Sequence, residues 1–167
     1  MSNLGPTDRE FLQRAIDISR HALEDEGKTP FGAIVVVNGE VVGEGTSSVV
    51  ELIDPTAHAE VMALRHAGVK LQRHLIEDGV MYASSEPCPM CLTACYWARI
   101  PRLVFAATSH DVAANGFEDL QLYRELARPR EARALREETA EPVLREQGVA
   151  VLKAWAYQLP EPVKPKF

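Results

Sequence analysis

The chain has 167 residues, of which 46% are hydrophobic and 25% charged, and its formal net charge is −6 at pH 7. That length supports one domain with a substantial core, no apolar run reaches membrane-spanning length, and the acidic balance provides no global attraction to phosphate backbones. Three cysteines, two of them in a C-x-x-C, argue against a disulfide framework and for a reducing cytoplasm, and the polar first ten residues lack the apolar core of a signal peptide.

Thr7 to Glu10 has the form of a capping box, followed by Phe11, Ala15, Ile16, Ile18 and Ala22 at helical spacing, which predicts a helix ending before Gly27. Phe31 to Val37 is a β-branched apolar run, Asn38-Gly39 is a hairpin signal, and Glu40 to Gly43 reads as the return strand. A loop is expected through Ser47 and Ser48 to Asp54-Pro55. A second helix follows over Thr56 to Ala67, then a strand over Val80 to Ser84 and a helix beginning at Pro89. Leu103 to Ala107 predicts a fourth strand and Phe117 to Ala127 a short helix. Val149 to Trp155 fits a strand or a helix equally, and Arg130 to Gln147 reads as a solvated charged segment. Pro160, Pro162 and Pro165 make 158–167 an extended tail on a single domain spanning 1–167. Alternating strands and helices after a hairpin predict a three-layer α/β/α domain.

Two short stretches carry chemistry. His58-Ala59-Glu60 and Pro87-Cys88-Pro89-Met90-Cys91 supply one imidazole and two thiols, the donor set of a catalytic zinc site that leaves its fourth position for water. Cys88 stands at the start of one predicted helix and His58 in the first turn of another, so two positive helix ends would converge on the metal. Residues two apart do not share a helix face. His58 and Glu60 therefore serve one site only if that site wraps around the helix's N-terminal end. There Glu60 would act first as base and then as acid, near the metal but not bound to it. Competing readings are a structural site completed by Cys95 and a redox C-x-x-C; the first would leave Glu60 without a task.

The H-x-E … P-C-x-x-C pattern is the known signature of zinc-dependent nucleobase deaminases. At Asp54-Pro55-Thr56-Ala57-His58-Ala59-Glu60 and Glu86 to Cys91 the chain resembles the cytidine deaminase superfamily. Pro30-Phe31-Gly32-Ala33, Tyr96-Trp97-Ala98-Arg99, Asn115-Gly116-Phe117-Glu118-Asp119 and Ala154-Trp155 narrow the likeness to bacterial guanine deaminases of that fold. The resemblance implies a five-stranded mixed sheet, a homodimer, zinc on His58, Cys88 and Cys91, and proton shuttling by Glu60 with help from Asp119. It further implies that Phe31, Ser47 and Ala57 border the substrate, that Trp97 lies against its ring, and that a C-terminal segment exchanged between subunits closes the partner's pocket with Phe167. The family usually carries Asn at the position of Ser47, and a hydroxyl is shorter and lacks the amide's paired donor and acceptor.

The expected function is therefore cytoplasmic, zinc-dependent hydrolytic deamination of a small nucleobase or related azine in purine metabolism, with guanine to xanthine plus ammonia foremost. Alternatives are a guanosine-type nucleoside, an aminotriazine such as ammeline, cytosine or cytidine, and adenosine in transfer RNA. A non-catalytic zinc scaffold is the alternative from a different class. Acidic charge and the Gly116-Phe117-Glu118-Asp119 stretch weigh against nucleic acid, and no membrane association is expected.

Overall fold

The computed structural model describes residues 4–24 and 27–164, and the chain divides into two compact units that meet in sequence between Ala127 and Arg128. In the first unit, helix α1 (Pro6–His21) leads through a short 3-10 turn to β1 (Gly32–Val37) and β2 (Glu40–Thr46). Then come α2 (Val49–Leu52), α3 (Ala59–Leu71), β3 (Gly79–Ser85), α4 (Pro89–Trp97), β4 (Arg102–Ala107), α5 (Ser109–Ala114) and α6 (Asp119–Leu126).

The sheet has the order β2-β1-β3-β4, with β1 antiparallel to both neighbours and β3 parallel to β4. It is a mixed sheet, as expected, but of four strands among the described residues, not five. The undecided segment 149–155 lies inside a helix, α7 (Pro142–Tyr157), in the second unit. That unit also holds a 3-10 turn at Arg130–Ala132, and Arg130 and Arg133 both pair with Glu137. No described helix is long and apolar enough to cross a membrane.

All six residues of β1 are buried, as a central strand with both faces covered requires. Period-two alternation divides the core. Ile34, Val36 and Tyr82 pack with Ala15 and Phe11 of α1 on one face, while Val35, Val37, Met81 and Ala83 pack with α3 on the other. The three layers follow from that division. The second interface is very close: Ala59, Ala63 and Ala67, one turn apart on α3, are fully buried against β2, where Gly43 and Gly45 have no side chain. Asn38 and Gly39 adopt the positive φ values (51° and 78°) of the hairpin turn their sequence announces.

One local reading is corrected. The Thr7–Glu10 capping box does not form; α1 begins two residues earlier, with Gly5 as N-cap and Pro6 in the first turn. Asp8 instead binds Arg102 through both oxygens (2.8 and 2.6 Å) and accepts from the Tyr82 hydroxyl (2.6 Å), tying α1 to β3 and β4. A capping box does form further on, at Thr108 and Asp111, where it starts α5.

Candidate active site

The turn before α3 is built by Asp54, whose Oδ1 accepts from the backbone N–H (2.8 Å) and hydroxyl (2.7 Å) of Thr56. Arg65, on α3, adds longer contacts to Asp54 and Thr56. The turn delivers His58 in extended conformation as the N-cap of α3. Cys88 occupies the same position on α4, followed by Pro89. Neither N-cap side chain makes a capping hydrogen bond to the backbone of its own helix. Both point elsewhere: Cys88 Sγ lies 3.7 Å from His58 Nδ1, and the ligand atoms of His58, Cys88 and Cys91 all lie within 4.8 Å of one another.

The donor set fits zinc. Tetrahedral zinc with bonds of about 2.0–2.3 Å separates its ligand atoms by roughly 3.5 Å, close to the 3.7 Å between His58 Nδ1 and Cys88 Sγ. The Cys88 thiol is drawn down to about 4, chiefly by its hydrogen bond with Cys91 and secondarily by His58, so this pair readily holds a thiolate. Cys95 does not complete a fourth corner: among the described residues the cluster contains His58, Cys88 and Cys91 alone, and burial pushes the Cys95 thiol up to about 12.

Glu60, the second residue of α3, is 5% exposed and yet lines a cavity of about 230 Å3 together with His58 and Cys88. The site thus wraps around the helix end, as the two-residue spacing required. Burial raises the Glu60 carboxyl above its ordinary value. Asp119, the first residue of α6, borders the same cavity and is also raised by burial. Helix α6 has no fully buried residue; it is held where Tyr123 donates to the carbonyl of Pro87 (2.8 Å), immediately before Cys88.

Phe31 and Ser47 line the cavity. Ala57 is buried but is not part of the wall, and its N–H donates to the Asp54 carbonyl (3.1 Å), so it is not available to a ligand. Trp97 is 75% exposed and does not border this cavity. Six residues beyond Cys91, it lies about 9 Å along the helix and about 120° around it. Phe167 lies outside the described residues.

Sequence reasoning missed three contributors. Phe117 packs edge-on against Phe31 with centroids 4.8 Å apart, forming an aromatic wall. Thr29 lines the cavity and donates to the Ser47 hydroxyl at 2.6 Å. Ser85, at the end of β3, lines it too. Phe117 was within a stretch already singled out; Thr29 and Ser85 carry no local signal.

Comparison with known proteins agrees with this geometry. The profile of the cytidine and deoxycytidylate deaminase zinc-binding region matches residues 6–107. The chain is 44% identical over 126 residues to the guanine deaminase of Bacillus subtilis, covering 75% of this chain and 80% of that protein. The crystal structure of guanine deaminase from B. subtilis superposes with a TM-score of 0.85 at 34% identity, covering 95% of this chain and 98% of the other. A guanine deaminase from Nitrosomonas europaea matches with a TM-score of 0.64 at 28% identity over 93% and 86% of the two chains. The tRNA-specific adenosine deaminase of Buchnera aphidicola is 37% identical over 110 residues, 66% of this chain and 72% of that one. The donor set at two helix starts and these matches lead to one conclusion: the chain belongs to the cytidine and deoxycytidylate deaminase family.

Proposed function

We propose that this chain hydrolyses guanine to xanthine and ammonia. The observation that carries the reading is a buried carboxylate, Glu60, beside a three-member zinc donor set and outside it, on the wall of a base-sized cavity. A zinc ion held by His58, Cys88 and Cys91 would supply an acidified water next to the substrate. Glu60 takes a proton from the attacking water and returns it to the ring nitrogen adjoining the reacting carbon. Asp119 carries the second proton of that water to the amino group, and the C–N bond breaks to release ammonia and leave the carbonyl. Both carboxyls are raised by burial, which suits groups that must release a proton as well as take one.

Phe31 and Phe117 provide an apolar wall for a planar ring. Ser47 and Thr29 share one hydrogen bond between two hydroxyls, so the pair retains one spare proton and free lone pairs for the base. That combination offers both a donor and an acceptor where a lone serine would offer a poor substitute for an amide. The reading extends to a cytoplasmic homodimer in purine metabolism, with Phe167 closing the partner's cavity.

The test is ammonia release by the zinc-loaded protein from guanine, guanosine, ammeline, cytosine, cytidine, adenosine and transfer RNA, with Glu60→Ala as control. Turnover of guanine that Glu60→Ala abolishes while zinc stays bound supports the proposal. Turnover of transfer RNA instead would move the substrate to that of the Buchnera relative. Loss of zinc with Glu60 would make it a ligand.

A further inference from the structure

Ser85 is 6% exposed, and its hydroxyl has no hydrogen-bond partner among the described residues although it reaches accessible space. Its neighbours are satisfied: the Ser84 hydroxyl accepts the Gly32 N–H at 3.0 Å, and Thr29 and Ser47 bond each other. Buried hydroxyls in folded proteins are nearly always paired, so one left open toward a cavity calls for a partner from outside the chain. Alternation along β3 sets Ser85 on the sheet face of Met81 and Ala83, where α3 and α4 begin, three residues before Cys88. It also stands at a junction. The metal-side cavity and a second one of about 220 Å3 share Phe31, Ser85 and Phe117 as common wall.

We infer that Ser85 contacts the substrate: its hydroxyl hydrogen-bonds a ring nitrogen or carbonyl oxygen on the edge of the bound base, beside the Phe31–Phe117 wall, and helps set which bases are accepted. The inference rests on the function proposed above. Removing the hydroxyl leaves a desolvated substrate atom unpaired, which weakens binding about 10-fold. It breaks no bond within the protein, so folding is not weakened.

The experiment compares zinc-loaded wild type, Ser85→Ala and Ser84→Ala by guanine kinetics, calorimetric Kd for xanthine, and Tm. Ser85→Ala is expected to raise KM and the xanthine Kd about 10-fold, with kcat within about threefold and Tm not lowered. Ser84→Ala is expected to do the reverse, lowering Tm with little effect on KM. Unchanged KM and Kd in Ser85→Ala, or a fall in Tm without a change in KM, overturns the inference. A wild type inert toward guanine overturns the function proposal along with it, whereas an active wild type matched by Ser85→Ala overturns this inference alone.

Discussion

Gly45→Ala places a methyl group where α3 crosses β2. An added Cβ would stand 2.1 Å from the Ala59 carbonyl oxygen, 2.6 Å from the Ala63 nitrogen and 2.9 Å from Met62 Cβ. Two of these are backbone atoms that no rotamer change can move. Ordinary contact begins near 3.4 Å, so the helix must retreat by about 1.3 Å. Overpacking of this kind costs about 1–3 kcal/mol, or roughly 3–10 °C in Tm for a chain of this size. Ala59 lies between His58 and Glu60, so the displaced turn is the one that carries the imidazole and the carboxylate. A misplacement of about 1 Å at reacting groups costs on the order of 100-fold in rate. Gly43→Ala is the internal comparison: it meets the Ala63 oxygen at 2.1 Å and the Ala67 nitrogen at 2.7 Å, one turn farther from the site. Tm, bound zinc and kcat/KM measured on both variants should show similar losses of stability and a much larger loss of activity for Gly45→Ala. Equal losses of kcat/KM in the two, or an unchanged Tm for Gly45→Ala, would refute the reasoning.

Three further outcomes are expected. Hydrogen bonds from Arg102 first, and from Tyr82, hold the Asp8 carboxyl down at about 2, below its unfolded value of 3.8. Its contribution is therefore full above pH 4 and is lost as pH falls toward 2; with Arg102 partly exposed, Asp8→Asn should cost about 1–2 kcal/mol at neutral pH. Thermal melts should show that gap closing between pH 4 and pH 2, and a pH-independent gap would count against the ion pair. Asp119→Asn should lower kcat on guanine by about 10²–10³ while Kd for xanthine changes little; a loss confined to Kd would make Asp119 a binding residue only. Ile53, β-branched and 92% exposed, caps α2 at φ 51°, a left-handed conformation that disfavours it. Ile53→Asn should raise stability by about 1 kcal/mol in denaturant melts, and no gain would mean the turn relaxes at no cost.

Short-range chemistry explains what could be read in advance. The Asn38-Gly39 hairpin, Pro89 in the first turn of α4, and the placement of His58 and Glu60 around a helix end each depend on residues close in sequence. The capping box at Thr7 failed because the helix starts earlier, with Gly5 as N-cap and Pro6 at its first position, which puts Thr7 inside the first turn; the pairing of Asp8 with Arg102, 94 positions away, is a contact no local pattern contains. The four-residue α2 and six-residue α5 are too short for hydrophobic periodicity to register. In 149–155 the apolar spacing suited either period, and the segment forms part of a 16-residue helix, leaving four strands in the sheet. The cavity was legible in its donors and not in its walls: Thr29, Ser85 and Phe117 meet only because β1, β3 and the start of α6 are brought together in space.

The spacing of the two N-caps has a consequence for the unfolded chain. His58 and Cys88 are 30 positions apart, and the segment between them contains all of α3 and β3. An ion held at both ends would turn that segment into a closed ring, with Cys91 as a second tether on one side. By the loop-closure argument used for covalent cross-links, a ring of this size removes about 3–4 kcal/mol of disorder from the unfolded ensemble. The helix whose small-residue seam seats it on the sheet is thus also the strand-to-ligand arch of that ring, so capture of the ion and docking of α3 are two views of a single ordering event.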